Sequence, residues 1–171
     1  VAIHEFASEV GDFNAANRSA ALSVLESLPI GPVRAAMLDG FPGIVRRQTR
    51  LYESPELRIY EDYAHHPTEI QALLRALRSL SPEGRLVVVF QSHRYTRTRQ
   101  FKSEFAEVLS AADELFLLPV YAAHEVDSEG GGVEDLVAEF SVPPQILSMD
   151  IDGAVELAEA VQNGPCTLAF V

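Results

Sequence analysis

Leu86-Val-Val-Val-Phe-Gln-Ser-His-Arg-Tyr-Thr-Arg-Thr-Arg99 is the stretch on which the fold turns. Its first five residues are apolar and mostly Val, the pattern of a strand covered on both faces of a sheet. Beyond the polar run, Phe101, Phe105, Val108 and Leu109 fall at helical spacing. The stretch therefore reads strand, loop, helix. The same order occurs upstream. Leu57 to Asp62 reads as a strand and Asp62-Tyr-Ala-His-His-Pro-Thr-Glu69 as a loop. Ile70, Leu73, Leu74, Leu77 and Leu80 then mark a helix, with Pro67 suited to its first position.

The alternation continues on both sides. Arg47 to Glu53 reads as a strand, separated from the next by a turn at Ser54-Pro55. Pro82-Glu-Gly84 breaks the first of these helices. Leu115 to Val120 is a second buried strand, and Gly130-Gly-Gly132 a loop. A helix over 133–140, a short strand from Gln145 to Leu147, a helix over 151–162 and a strand over 167–171 complete the pattern. Strands that alternate with helices imply a parallel sheet with right-handed crossovers. The expected fold is α/β: a three-layer, Rossmann-like domain with a mostly parallel sheet and helices on both faces.

The first residues read differently. Val1 to Ser8 has the mild alternation of a strand. Asp12 can cap a helix that starts near Phe13, carries Ala20, Leu22, Val24, Leu25 and Leu28, and ends at Pro29. Pro32 suits the start of a second short helix before Gly40. Phe41-Pro-Gly43 is a turn and a boundary, so residues 1–42 are expected to be the tail of a preceding domain and residues 43–171 the α/β domain. The chain opens at Val1 without Met and ends in an apolar run, which suggests a piece of a longer protein.

Composition narrows the function. At 47% hydrophobic and 22% charged, 171 residues can bury a real core. A formal charge of −12 argues against nucleic acid as a partner. No apolar run approaches the ~20 residues of a membrane span. Cys166 is the single cysteine, so no intrachain disulfide or thiolate metal cluster can form; a buried structural thiol in a reducing, cytoplasmic compartment is expected. Against the acidic background Arg94, Arg97, Arg99 and Lys102 form a basic island, which suggests an anionic or carboxylate-bearing substrate.

The two loops fall at the carboxyl ends of strands, where open α/β sheets bind ligands. They hold three of the five histidines. Asp62 can accept hydrogen bonds from ribose hydroxyls; the competing reading is a turn or helix-capping Asp. His65 and His66 are adjacent and point apart, and no third ligand lies at zinc-like spacing, so they read as pocket-shaping, hydrogen-bonding groups rather than a metal site. Arg94 and Arg97 are three apart at a helix start and can face one point, where two guanidiniums suit a carboxylate. The competing reading is ion pairing with Glu104 or Glu107. Tyr95 or His93 can pack nearby. Asn14 and Asn17, also three apart, are unfavourable within a helix; they can read an adenine edge or bridge to a neighbouring domain, although capping would account for Asn14. The pair Arg46-Arg47 can meet phosphate or adenine, or end a solvated strand. No phosphate loop, nucleophile elbow or Cys/His pairing is present. The chain thus reads as a substrate-holding half with no catalytic residue of its own.

Taken in order, these segments resemble the Mur ligases, the ATP-dependent amino-acid-adding enzymes of peptidoglycan synthesis. Gly11-Asp-Phe-Asn-Ala-Ala-Asn17 looks like the family's Gly-x-(His/Phe)-Asn-x-x-Asn segment that closes the central ATPase domain. Phe41-Pro-Gly-Ile-Val-Arg-Arg47 is similar to the junction into the C-terminal domain. Asp62–Glu69, Gln91–Arg99 and Val120-Tyr-Ala-Ala-His-Glu125 complete the series. The likeness is greatest to the branch that joins L-alanine to UDP-N-acetylmuramate; a branch that recycles a whole tripeptide, or a non-catalytic module with the ligase fold, are the alternatives. The resemblance implies that Arg94 and Arg97 hold the alanine carboxylate and that Tyr63, His65 and His93 line its pocket. It implies that Asp62 meets the ATP ribose, that Asn14 and Asn17 sit by the adenine, and that Arg47 lies near the nucleotide. ATP and Mg would be bound mainly by the absent central domain, so the chain alone is expected to be inactive. It departs from the family at Ser92, where Pro is usual, at Gln48, where an aromatic commonly stands, and in lacking a Gly-Ala-Gly-Asp-like turn after its last strand.

Overall fold

The computed structural model describes residues 12–29, 44–126 and 130–171, the side chains of 12–15 excepted. The expected first strand, the short helix at Pro32 and the turn at Phe41–Gly43 lie outside them. Helix α1 spans Asp12–Ser27. A six-stranded sheet follows: β1 (Thr49–Glu53), β2 (Leu57–Glu61), β3 (Arg85–Phe90), β4 (Glu114–Leu117), β5 (Gln145–Ile146) and β6 (Cys166–Phe170). Between them run α2 (Pro67–Leu80), α3 (Tyr95–Leu109), α4 (Val133–Val137) and α5 (Ile151–Val161).

The spatial order is β1-β2-β6-β3-β4-β5. Among the described residues only the hairpin pair β1·β2 is antiparallel; β6 lies parallel to both β2 and β3, and Cys166 is opposite Leu57 on one side and Arg85 on the other. Side chains alternate along β3. Leu86, Val88 and Phe90 pack with Leu73, Leu77, Phe105 and Leu136 of α2, α3 and α4. Val87 and Val89 face the other way, toward Leu157 and Ala160 of α5. Crossover direction explains this division. The steps β2→β3→β4→β5 advance across the sheet, whereas β5→β6 runs back. Right-handed connections of opposite direction must pass over opposite faces. The mostly parallel sheet with helices on both faces is therefore as expected.

Local chemistry sets the ends of the elements. His66 caps α2, its ring accepting from Thr68 N–H at 3.4 Å, and Glu69 reaches back to His66 N–H at 3.3 Å. Pro67 fills the first position. Strand β1 begins two residues later than the apolar pattern indicated, because Arg46 (φ 61°) and Gln48 (φ 47°) are left-handed and cannot enter a ladder. Strand β4 stops at Leu117 rather than at Val120; Pro119 has no N–H to continue it. Helix α1 includes Asp12 rather than being capped by it and ends at Ser27, since the residue before Pro29 resists helical backbone. Helix α4 ends at Val137, short of residue 140. Cys166 is buried and donates weakly to Val161 O, and burial pushes its thiol pKa up. That leaves it an inert packing group. Among the described residues no helix is long and apolar enough to cross a membrane.

Leu77 is 1% exposed within the α2–sheet layer, while Leu80, one turn on, is 37% exposed. Leu77→Ala is expected to lower unfolding free energy by about 2–5 kcal/mol and Leu80→Ala by less than about 1 kcal/mol, as measured by urea denaturation.

Candidate functional site

Strands β2, β6, β3 and β4 all end at the same edge. Both predicted loops leave it beside β6: Asp62 N–H donates to Phe170 O and Gln91 N–H to Val171 O, each at 2.9 Å.

The first loop is built around Asp62, 7% exposed. One carboxylate oxygen accepts from Gln48 N–H at 2.8 Å and the other from Ala64 N–H at 2.7 Å. Burial raises its pKa, although both amides and Arg47 pull the other way. Asp62 thus ties the loop to the residues before β1, a duty close to the turn role set against ribose contact above. Tyr63 N–H donates to Arg46 O, and the Arg46 guanidinium sits 4.9 Å over the Tyr63 ring. The Tyr63 and His65 rings lie 5.3 Å apart, and His65 Nδ1 is 2.9 Å from Tyr63 O. Glu69 accepts from His65 N–H at 3.0 Å and approaches Arg47 at 4.0 Å. Burial would raise the Glu69 pKa, but these amides and the neighbouring positive charges outweigh it and hold the carboxyl below its usual value.

The second loop is zipped to the loop after β4. Tyr121 N–H donates to Ser92 O and Arg94 N–H to Tyr121 O, and the His93 and Tyr121 rings lie 5.3 Å apart. Arg94 is the N-cap of α3 at φ 76°. Burial, then Arg97, Arg94 and His65, disfavour a proton on His93 and hold its pKa below the ordinary imidazole value. His93 thus lies within electrostatic reach of Arg94 and Arg97 on its own loop and of His65 on the other. Among the described residues neither arginine forms an ion pair with a carboxylate within 4.0 Å, so the Glu104 or Glu107 alternative is not realised; Lys102 instead pairs with Glu139 at 2.6 Å. Asn17 is exposed on α1, with no hydrogen bond to either loop among the described residues. The side chain of Asn14 is outside them.

Four residues with a part in the site escaped sequence reasoning. Ser92 and Thr98 are buried polar residues in hydrogen-bond contact. Thr98 Oγ1 donates to Arg94 O at 2.9 Å; having one proton, it accepts from Ser92. Gly131 (φ 100°) passes so close to α3 that a Cβ there would meet Tyr95 O. Glu125 binds Thr96. The legible signal was an α3 N-cap position, Arg94, that is not Ser, Thr, Asp or Asn, so acceptors must come from elsewhere. Among the described residues no group of three or more His, Cys, Asp or Glu is arranged to hold a metal ion.

The family model "Mur ligase, glutamate ligase domain" matches residues 46–169, a span that contains both loops. The chain belongs to the Mur ligase family. Mur ligase relatives include the UDP-N-acetylmuramate–L-alanine ligase of Saccharopolyspora erythraea, 47% identical over 136 residues, which are 78% of this chain and 27% of that protein. The corresponding ligase of Paenarthrobacter aurescens is 38% identical over 163 residues, or 94% of this chain and 35% of the relative. The chain thus spans only about a third of the length of these curated relatives. The solved UDP-N-acetylmuramate–alanine ligase of Thermotoga maritima superposes with a TM-score of 0.64 at 25% identity, covering 94% of this chain and 34% of that one. The folylpolyglutamate synthase/dihydrofolate synthase of Yersinia pestis, solved with AMPPNP and Mn, shares the fold: TM-score 0.67, 21% identity, 95% of this chain and 36% of that one.

The depressed Glu69 pKa carries a sign. A carboxylate held below its unfolded value stabilises above that value, and the stabilisation is lost as pH falls through the folded pKa. Acidification is therefore expected to free the His65 and His66 amides in a cooperative NMR titration. Glu69→Ala should remove that transition.

Proposed function

We propose that residues 43–171 form the amino-acid-binding domain of an ATP-dependent ligase that joins L-alanine to UDP-N-acetylmuramate in the cytoplasm. The observation that carries this reading is the pair Arg94 and Arg97, free of carboxylate partners within 4.0 Å among the described residues and flanking His93 at the sheet edge. Two such guanidiniums suit an amino-acid carboxylate, which accepts their hydrogen bonds in a fixed plane. Relatives named for alanine addition support the substrate. Tyr63, His65 and His93 then bound the space for a small side chain. A neutral His93 adds no positive charge beside the alanine amine, which must itself be neutral to act as nucleophile.

In the reaction, the muramate carboxylate takes the terminal phosphoryl group of ATP and ADP leaves. The amine nitrogen attacks the acyl carbon, phosphate departs and the nitrogen loses a proton. This chain's part is orientation, which converts an encounter of two substrates into a reaction within one complex. Arg47, close to Glu69, and Asp62, whose oxygens each keep a second lone pair, are the groups here that would meet the nucleotide. Asn14 and Asn17 would approach its adenine from the tail of the preceding domain, residues 1–42. The start of the matched span at residue 46 supports that boundary. Magnesium would be held mainly by the preceding ATPase domain.

The test is amino-acid-dependent phosphate release by the full-length protein that carries this domain, supplied with ATP, magnesium and UDP-N-acetylmuramate. Removing one charge-assisted pair costs about 1.5–3 kcal/mol, so Arg94→Ala is expected to raise KM for L-alanine about 10- to 100-fold with the KM for ATP unchanged. Turnover with a tripeptide but not alanine would reject the substrate. Turnover with neither would reject the enzyme.

A further inference from the structure

Helix α3 carries Arg97 and follows directly on Arg94, yet it begins without a side-chain cap of its own. Arg94 occupies the N-cap at φ 76° and its side chain makes no capping bond. The first amides of a helix need acceptors, which Ser, Thr, Asp or Asn at the N-cap usually supply. Here the acceptor comes from the loop after β4. Glu125 accepts from Thr96 N–H at 3.0 Å with one oxygen and from the Thr96 hydroxyl at 2.7 Å with the other. Its negative charge lies at the positive end of the α3 dipole. Those two bonds to Thr96, aided by Arg94, hold its pKa below the usual carboxylate value.

The turn that delivers Glu125 is strained. Glu125 N–H donates to Ala122 O at 2.9 Å, and the two residues between, Ala123 (φ 48°) and His124 (φ 74°), are both left-handed. Successive positive φ values are the type I′ pattern, which Asn and Gly favour. A residue other than Gly is strained when held there, because its Cβ crowds the following carbonyl. Such strain persists only where the surroundings over-determine it, and it gathers at functional sites. Other bonds of this loop, from Arg94 N–H to Tyr121 O and from Tyr121 N–H to Ser92 O, hold it against the start of α3 as well.

We propose that Glu125 is a positioning residue for the amino-acid site: it caps α3 from the neighbouring strand's loop and so fixes where Arg94 and Arg97 present their guanidiniums. This rests on the ligase reading above. Glu125 bonds to Thr96 and attracts Arg94 only at longer range, since neither arginine lies within 4.0 Å of a carboxylate among the described residues.

The test uses the full-length protein with L-alanine, ATP and UDP-N-acetylmuramate. Loss of a cap is a loss of about 1 kcal/mol or more in helix-start order, so Glu125→Ala is expected to raise KM for alanine about fivefold to tenfold, leaving that for ATP within about twofold. Glu125→Gln keeps an oxygen for Thr96 N–H and a donor for its hydroxyl, and should restore most of the loss. Thr96→Val removes only the hydroxyl half, keeps the reading possible if Glu125→Ala fails to fold, and should give a smaller rise in the alanine KM. An unchanged alanine KM in Glu125→Ala or, if that variant is unfolded, in Thr96→Val overturns the proposal. So does an equal rise in both KM values, or a Gln variant no better than Ala. If the wild type does not turn over alanine, the ligase reading fails instead. Amide exchange at Thr96 then decides the cap: faster exchange in Glu125→Ala or Thr96→Val supports it, and unchanged exchange in both overturns it.

Discussion

Strand β6 enters the sheet between β2 and β3, and the two site loops hang from its last carbonyls. Phe170 O holds the first amide of one loop and Val171 O the first amide of the other. Every functional side chain discussed above, apart from those on α1, is placed relative to these two bonds. The flanking strands cannot pair with each other while β6 separates them, so the spacing between Asp62 and Gln91 is set by the width of one strand, roughly twice the 4.7–4.9 Å separation of neighbours. A site whose two halves hang from a single buried strand needs no long-range adjustment to bring them together.

Charge is distributed to match. The chain is acidic as a whole, with a formal charge of −12, yet its carboxylates near the edge are occupied with local work. Asp62 satisfies two buried amides, Glu69 opens α2, and Glu125 opens α3. Arg94 and Arg97 stand beside His93, which is held below its ordinary pKa. In an acidic protein, Arg94 and Arg97 thus stay without a carboxylate within 4.0 Å among the described residues, while the nearby anions bond to helix starts and backbone donors.

Most of the fold was legible because its signals are local and redundant. The Val-rich run of β3, the stripe Ile70-Leu73-Leu74-Leu77 and the Pro67 start each carry one meaning, and each appears where expected. What the residues could not reveal depends on backbone sign or on distant partners. Arg46, Gln48, Arg94, Ala123 and His124 adopt positive φ, though none is the Gly, Asn or Asp that would announce it. The Ser92–Thr98 contact depends on the turn between them, and Ser92 was noted only as a departure from Pro. Glu125 stood within a quoted motif, but its partner lies 29 residues away. The pairing of Arg94 with Arg97 was visible from helical spacing. The nearness of His93 to His65 was not, because it requires β6 to set the two loops side by side.

The position of β6 also orders the folding of the chain. Among the described strands it is the last in sequence and an inner one in space, so during synthesis β2 and β3 wait with open edges until residues 166–170 arrive. The hairpin β1·β2 and the unit β3-α3-β4 can form early from near neighbours, but they can join only through a strand about 80 residues downstream of β3, and such non-local pairing is slow. Until then the Val-rich edge of β3 is exposed to other chains with the same pattern. A lesion in β6 would thus be felt first as aggregation during synthesis, before the folded domain is reached.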